Sequence, residues 1–198
     1  MMKQTCKLVR ISAVITLAIF LVFTLAGCSS SSDDINKKVR IVLVGNFIGD
    51  ENAQKLISEL EKKSGDKVYI DQILYTGNTP KSEQEFAFMQ KLMVMLAAGE
   101  GDIYILDKKL FTNYAQNGAF YSLKSFVSKN KLDKFVDDTC YVKEKDKSTK
   151  DLYGLQADQV LLLKKYGFET KNKYIAIYVR SNKFSRAQKV LLALLNSK

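Results

Sequence analysis

The chain has 198 residues, 46% of them hydrophobic, and carries 31 lysine and arginine residues against 21 aspartate and glutamate residues. The apolar fraction excludes a disordered chain, and the absence of histidine excludes Ser-His and Cys-His hydrolases and His-ligated zinc sites. Nucleic-acid binding is not expected, because the positive charge comes mostly from lysines spread along the chain rather than from a clustered basic face.

The N-terminal segment has the features of a lipoprotein signal peptide. Three basic residues precede an apolar run over 11–26, which is shorter than the roughly 20 apolar residues that a spanning helix needs. The run ends in Leu25-Ala26-Gly27-Cys28, which resembles the lipobox of bacterial lipoproteins. The resemblance implies that residues 1–27 are removed and that Cys28 becomes the lipidation site. An uncleaved membrane anchor with a chance cysteine is the alternative.

The lipobox predicts that the chain is held by its lipid, including an acyl chain such as palmitate, on the extracytoplasmic face of the cell membrane. Residues 28–38 contain four serines and two aspartates, which predicts a flexible tether. Cys6 would leave with the signal peptide, so Cys140 is the one free thiol expected in the lipidated chain. Either burial in the core or pairing with a partner would explain Cys140.

The hydrophobic pattern from position 39 predicts alternating strands and helices. The predicted strands are 39–44, 68–75, 102–106 and 174–179, and the longer predicted helices are 50–64, 82–98, 107–117 and 184–195. The helix over 82–98 is apolar on nearly every side, so we expect it to be largely buried. The polar segment 137–150 is predicted to be an exposed loop.

This order of elements predicts one α/β lobe over 39–198. Strands that alternate with helices through short links are typical of parallel sheets with right-handed crossovers. The fold class expected is therefore α/β, with a single open, mostly parallel sheet and helices on both faces.

Two segments resemble bacterial extracellular solute-binding lipoproteins, the receptors of ABC importers. The first is Leu96-Ala97-Ala98-Gly99 followed by the strand over 102–106, and the second is the return strand with Ser181-Asn182 before the last helix. The resemblance implies one lobe of a periplasmic-binding-protein type II fold, a small solute and an importer permease as partner. Family members have two lobes that close on the ligand, so this chain resembles a member truncated to about one lobe.

Candidate ligand-binding residues follow the strands, because ligands of open parallel sheets bind beyond the carboxyl ends of the strands. These candidates are Asn46, Phe47, Tyr75, Thr76, Gly77, Asn78 and Asp107. Asp107 could instead cap the helix that follows it, and Gly77 could serve only as a turn residue.

The sequence therefore predicts a membrane-anchored extracytoplasmic lipoprotein that captures a small ligand for an ABC importer. The alternative is an interaction lipoprotein that docks a protein or cell-envelope partner and binds no solute. No catalytic residue, cofactor or metal site is predicted, because we find no nucleophile elbow, P-loop or calcium-loop spacing. A hydrolase would be indicated by activity that one Ser or Asp replacement abolishes without loss of the fold.

Replacing Cys28 tests the lipobox. In cells that express the full chain and are fed labelled palmitate, Cys28→Ala is expected to abolish labelling, because the acceptor thiol is removed. Cys6→Ala is the matched control and should stay labelled. Labelling that survives Cys28→Ala would contradict the prediction.

Overall fold

A computed structural model describes residues 34–75, 80 and 82–196. Residues from Lys38 onward belong to one compact unit. The predicted signal peptide and Cys28 lie outside the described residues, as do Thr76, Gly77 and Asn78. Within the predicted tether, residues 34–36 are helical. None of the helices in the described ranges has both the length and the apolar character needed to cross a bilayer.

Strands and helices alternate through the first half of the described chain, as predicted. The strands are β1 (Val39–Gly45), β2 (Val68–Leu74), β3 (Ile103–Asp107), β4 (Tyr141–Lys143), β5 (Lys150–Leu152), β6 (Leu155–Gln156) and β7 (Lys173–Ile177). The α-helices from β1 onward are α1 (Asp50–Ser64), α2 (Glu83–Ala98), α3 (Lys108–Gln116), α4 (Lys124–Asn130), α5 (Leu161–Lys165) and α6 (Phe184–Leu195). Short 3-10 helices lie at Asp133–Phe135 and Asp138–Cys140.

Five strands form one open sheet in the order β2-β1-β3-β7-β6. β1 pairs in parallel with both β2 and β3, whereas β7 is antiparallel to β3 and to β6. Four of the five strands therefore point the same way, and the predicted α/β class with a mostly parallel sheet is confirmed.

The hydrophobic core lies on both sides of this sheet. In β1 every residue except Arg40 is buried, and in β3 every residue except Asp107 is buried. Adjacent residues of a strand point to opposite faces, so both faces must be covered, as helices on both faces predict. α6 packs against α1, β1 and β7, while α2 packs against β2.

The helix α2 is less buried than its composition predicts. Its Ser82 cap accepts a hydrogen bond from the Glu85 amide at 3.2 Å, and Lys91 pairs with Asp71 of β2 at 3.1 Å. Its buried side chains are Leu92, Met95 and Leu96, whereas Phe86 (56% exposed), Met93 (53%) and Val94 (64%) face solvent. The expectation of a largely buried helix is wrong because α2 packs against β2, which is the edge strand, so only one face of the helix is covered.

The segment 137–150 is only partly the exposed loop that its polar composition predicts. Its first part forms a 3-10 turn and then β4, which pairs with β5 as an antiparallel hairpin. Cys140 and Val142 are buried, while most residues from 143 to 150 are exposed. Cys140 is a free thiol, and burial raises its pKa to about 11, so the thiol is inert.

Two segments of the family resemblance meet at the amino end of β3. The buried Asp102 carboxylate accepts hydrogen bonds from the Ser181 hydroxyl at 2.6 Å and from the Arg40 amide at 2.8 Å. The Lys183 ammonium lies 3.1 Å from the same carboxylate. The turn before α6 is therefore attached to β3 and β1 through one buried acid.

Gly154 tests how tightly this core is packed. A Cβ atom at this position would lie 2.6 Å from Phe111 Cζ, and the Phe111 ring is stacked against Phe120 and Tyr174. We expect Gly154→Ala to lower the free energy of unfolding by about 1–3 kcal/mol, measured by chemical denaturation. The loss should shrink in a Phe111→Leu background, which removes the clash. An equal loss in both backgrounds would contradict this explanation.

Candidate functional site

A cavity of about 460 Å³ lies at the carboxyl ends of β1, β2 and β3. It is lined by the ends of these strands and by the segment that leads into β7, namely Gly45, Asn46, Leu74, Tyr75, Asp107, Glu169, Lys171, Asn172 and Lys173. Because β7 is antiparallel to β3, its amino end reaches the same edge of the sheet as the three carboxyl ends. The structure thus brings together three predicted residues, Asn46, Tyr75 and Asp107.

Asp107 both caps a helix and lines the cavity, which are the two roles that the sequence left open. Its Oδ1 accepts a hydrogen bond from the Leu110 amide at 2.8 Å, so it is the N-cap of α3. It also lines the cavity beside Tyr75. Burial, together with the neighbouring Asp107 carboxylate, raises the pKa of the Tyr75 hydroxyl, so this hydroxyl stays protonated and remains a donor.

Asn46 holds the cavity wall in place. Its Nδ2 donates to the Gly167 carbonyl at 2.8 Å, and its Oδ1 accepts from the Glu169 amide at 2.8 Å. Both ends of the amide are thereby bonded to the segment after α5, which becomes attached to the end of β1. In this structure the Asn46 side chain positions the wall, and direct contact with a ligand stays a prediction.

Phe47 lies outside the cavity. Its ring makes an edge contact with Phe88 of α2, with ring centroids 5.6 Å apart, and 46% of the residue is exposed. The predicted grouping of Phe47 with Tyr75 at one ligand site is not what the structure shows. The backbone of Gly49 at positive φ and the following helix α1 carry the chain away from the strand end directly after Phe47.

Lys173 is the residue of this site that sequence reasoning missed. It is only 8% exposed, and it lies directly opposite Asp107 in the register of β3 and β7. Its side chain crosses the end of β1, because a Cβ atom at Gly45 would lie 2.9 Å from Lys173 Cε and 3.1 Å from Nζ. A side chain at position 45 would therefore have to displace the end of Lys173.

The Lys173 ammonium has no acceptor close to it in the part of the chain that the structure describes. No hydrogen bond is formed, and no carboxylate oxygen lies within 4 Å of Nζ. Burial lowers the pKa of Lys173, and the more distant charges of Asp107 and Glu169 oppose this effect. The cavity therefore has a buried cationic donor in its wall.

The contribution of β7 to this site could have been predicted from the sequence only if the direction of that strand had been known. A lysine directly before a wholly apolar strand was visible at 173, but a parallel strand would have placed it at the opposite edge of the sheet. The antiparallel pairing puts Lys173 and Glu169 at the strand ends that carry Tyr75 and Asp107.

A larger concavity of about 890 Å³ lies along the exposed charged face of α1, next to Tyr166, and is a weaker candidate. Its Glu59 is already paired with Lys165 at 2.7 Å and Lys63 at 2.8 Å, which lowers the pKa of Glu59 to about 2. The Glu59 charge is therefore satisfied within the protein. Among the described residues, no cluster of three or more His, Cys, Asp or Glu side chains is suited to a metal ion.

Comparisons with known proteins gave matches only among solved structures. No protein-family model and no curated protein matches the chain. The similar structures include ABC solute-binding proteins at low identity.

One is an ABC substrate-binding protein from Listeria monocytogenes in complex with cycloalternan, with 20% identity, a TM-score of 0.43, and coverage of 67% of this chain and 34% of that one. Another is an ABC transporter solute-binding protein from Thermotoga lettingae bound with α-D-tagatose, with 18% identity, a TM-score of 0.45, and coverage of 69% and 34%. A third is an N-glycan transport solute-binding protein from Streptococcus pneumoniae in complex with Man5GlcNAc, with 22% identity, a TM-score of 0.42, and coverage of 67% and 30%. The match spans about a third of each neighbour's length.

Lys173→Met tests the buried ammonium. Methionine fits the same path past Gly45 without a charge, so we expect the free energy of unfolding at pH 7 to rise by on the order of 1 kcal/mol. Because burial lowers the pKa of Lys173 in the folded state, the folded protein loses this proton before the unfolded chain does. The advantage of the variant should therefore shrink as pH rises toward about 10.4, the value in the unfolded chain.

Chemical denaturation at pH 7, 8.5 and 10 provides the measurement. Lys171→Met is the matched control, because Lys171 is exposed on the same wall, and its difference from the wild type should not shrink with pH in this way. A Lys173→Met variant that is less stable than the wild type at pH 7 would show that the ammonium is held by a stabilising partner.

Proposed function

We propose that this chain is a membrane-anchored extracytoplasmic lipoprotein that captures a small polar solute in the cavity at the strand carboxyl ends. The observation that carries the proposal is the buried Lys173 ammonium, which faces a cavity that also contains Tyr75 and Asp107. The volume of about 460 Å³ falls within the range of small-molecule sites, about 300–1,000 Å³. A few polar groups converging on such a cavity are typical of ligand sites.

The proposed capture is non-covalent. Asp107 accepts the helix-cap bond at Oδ1 and also interacts with the Tyr75 hydroxyl, and a carboxylate has about four acceptor sites, so it can accept a further hydrogen bond from a solute. Lys173 would donate to an acceptor on the solute, and the Tyr75 ring would pack beside it. Lys171 and Asn172 border the cavity and are exposed, so a solute would enter past them from solvent.

Location and partner are parts of the same proposal. The lipobox that ends at Cys28 supports attachment to the extracytoplasmic face of the membrane. The resemblance of two segments to solute-binding lipoproteins supports delivery of the solute to the permease of an ABC importer. In this role the chain binds and presents the solute and carries out no chemical reaction.

A second candidate function is favoured by the exposed apolar side chains of α2. Phe86, Met93 and Val94 are each more than half exposed, and Phe47 is exposed close to the same helix through its contact with Phe88. An interaction lipoprotein that docks a protein or cell-envelope partner would use such a surface. In that case the cavity would take up no solute.

A ligand panel tests the proposed function. The full chain, purified in detergent, is melted while circular dichroism is recorded, with neutral sugars, sugar acids, amino acids, short peptides and nucleosides. A solute at 100 times its Kd should stabilise the fold by about 2.7 kcal/mol, which corresponds to a rise in Tm of roughly 5–11 °C.

A variant of the cavity wall provides the specificity control. Lys173→Met removes the charge that faces the cavity and keeps a side chain of similar length, so the rise in Tm should largely disappear. Lys124→Met, on the exposed side of α4 and outside the cavity lining, should leave the rise unchanged. A panel without any shift would contradict solute capture and favour the interaction lipoprotein.

A further inference from the structure

We infer that the solute is a hydroxy carboxylate, a small molecule that carries one carboxylate with hydroxyl groups near it, such as a sugar acid. The carboxylate would pair with Lys173, and a hydroxyl group would donate to Asp107. This inference rests on the proposed function and names the ligand class of the same site.

The first step is the need for an anion. Lys173 is more than nine-tenths buried, and it lines the cavity. Its Nζ is not among the fully enclosed side-chain atoms that lack a hydrogen-bond partner, so the ammonium opens onto the cavity, where an anion can pair with it. In the described part of the chain neither Asp107 nor Glu169 lies within ion-pair distance of Nζ, so we assign the missing acceptor to the ligand.

The second step is the fixed position of the ammonium. The side chain lies across the end of β1, with Cε and Nζ 2.9 and 3.1 Å from the point that a Cβ atom of residue 45 would occupy, and with the Phe168 ring centroid 5.9 Å from Nζ. Long flexible lysine side chains lose rotamer entropy when they pair on a surface. Here the backbone of β1 and the Phe168 ring already restrict the chain, so the charge is presented before a ligand arrives.

The third step selects a single negative charge. Asp107 lies opposite Lys173, and Glu169 and the exposed Lys171 line the same wall, so two carboxylates as well as the two ammonium groups face any anion that enters. A phosphate ester carries nearly two negative charges at pH 7 and would be repelled more strongly than a carboxylate. A monoanion can pair with Lys173 at lower electrostatic cost.

The fourth step selects hydroxyl over ammonium. The Asp107 carboxylate has acceptor sites beyond those used by the Leu110 amide and the Tyr75 hydroxyl, and these sites favour a donor on the solute. In an α-amino acid the ammonium is attached to the carbon that bears the carboxylate, which would place it near the Lys173 ammonium. A hydroxyl group at that position donates to Asp107 without adding a second cation.

Two matched ligand pairs test the inference by isothermal titration calorimetry on the full chain in detergent. Glucuronate and glucose differ by the carboxylate, and glycerate and serine differ by hydroxyl against ammonium. Wild-type protein should bind glucuronate at least about tenfold more tightly than glucose, and glycerate more tightly than serine. Glucose 6-phosphate, the doubly charged probe, should bind more weakly than glucuronate.

Variants then assign the preference to one residue. Lys173→Met should reduce the preference for glucuronate over glucose to near onefold, whereas Lys124→Met should keep it, because Lys124 is exposed on α4 and does not line the cavity. Raising the salt concentration should weaken glucuronate binding only slightly, because salt screens a buried charge pair less than an exposed one.

The outcomes separate this inference from the proposed function. Tight binding of glucose with no gain for glucuronate would overturn the ligand class while leaving solute capture intact. A preference for acids that survives Lys173→Met, or tighter binding of glucose 6-phosphate or serine, would also overturn it. Absence of binding by every probe, together with a panel of solutes that gives no shift in Tm, would overturn both.

Discussion

The antiparallel pairing of β7 with β3 is the constraint on which the candidate site depends. This pairing sets Lys173 opposite Asp107 and brings the chain before β7 to the edge where three parallel strands end. Asn46 then attaches that segment to β1 through two hydrogen bonds of 2.8 Å. If the last strand ran parallel instead, its amino end would lie at the far edge, and the cavity would lose one wall and its cation. The local chemistry of the site is thus a consequence of strand direction.

Much of the fold could be predicted from local pattern. The end of α1 follows from Gly65, whose left-handed backbone ends the helix, and the strands follow from short β-branched runs. At the start of α1 the N-cap is Gly49, and no side chain caps the helix. Strand direction could not be predicted, because a strand that is buried on both faces is apolar in either orientation. The burial of α2 was overestimated for a related reason, since its composition does not reveal that it covers an edge strand. In segment 137–150 the buried Cys140 and Val142 alternate with polar residues, and composition alone hides that alternation.

In the candidate site, too, the residues that depend on local pattern could be predicted and those that depend on non-local pairing could not. Asn46, Tyr75 and Asp107 were predicted because the rule for strand carboxyl ends needs only the strands themselves. Lys173 and Glu169 were missed because they reach the site through pairing of strands that are distant in sequence. Phe47 follows Asn46 directly but lies against Phe88 and does not line the cavity, because one residue along the chain is enough to turn a side chain away. The strand-end rule therefore finds a site but not the wall contributed by a non-local segment.

The close approach of Gly45 and Lys173 couples the volumes of two positions that are far apart in sequence but share one space. A larger side chain at 45 would displace the flexible end of Lys173, and a shorter side chain at 173 would leave room for it. For example, Gly45→Ser together with Lys173→Ala would place a neutral hydroxyl close to the point that the ammonium now occupies. This edge of the cavity would then change from cationic to neutral without altering the sheet that supports it.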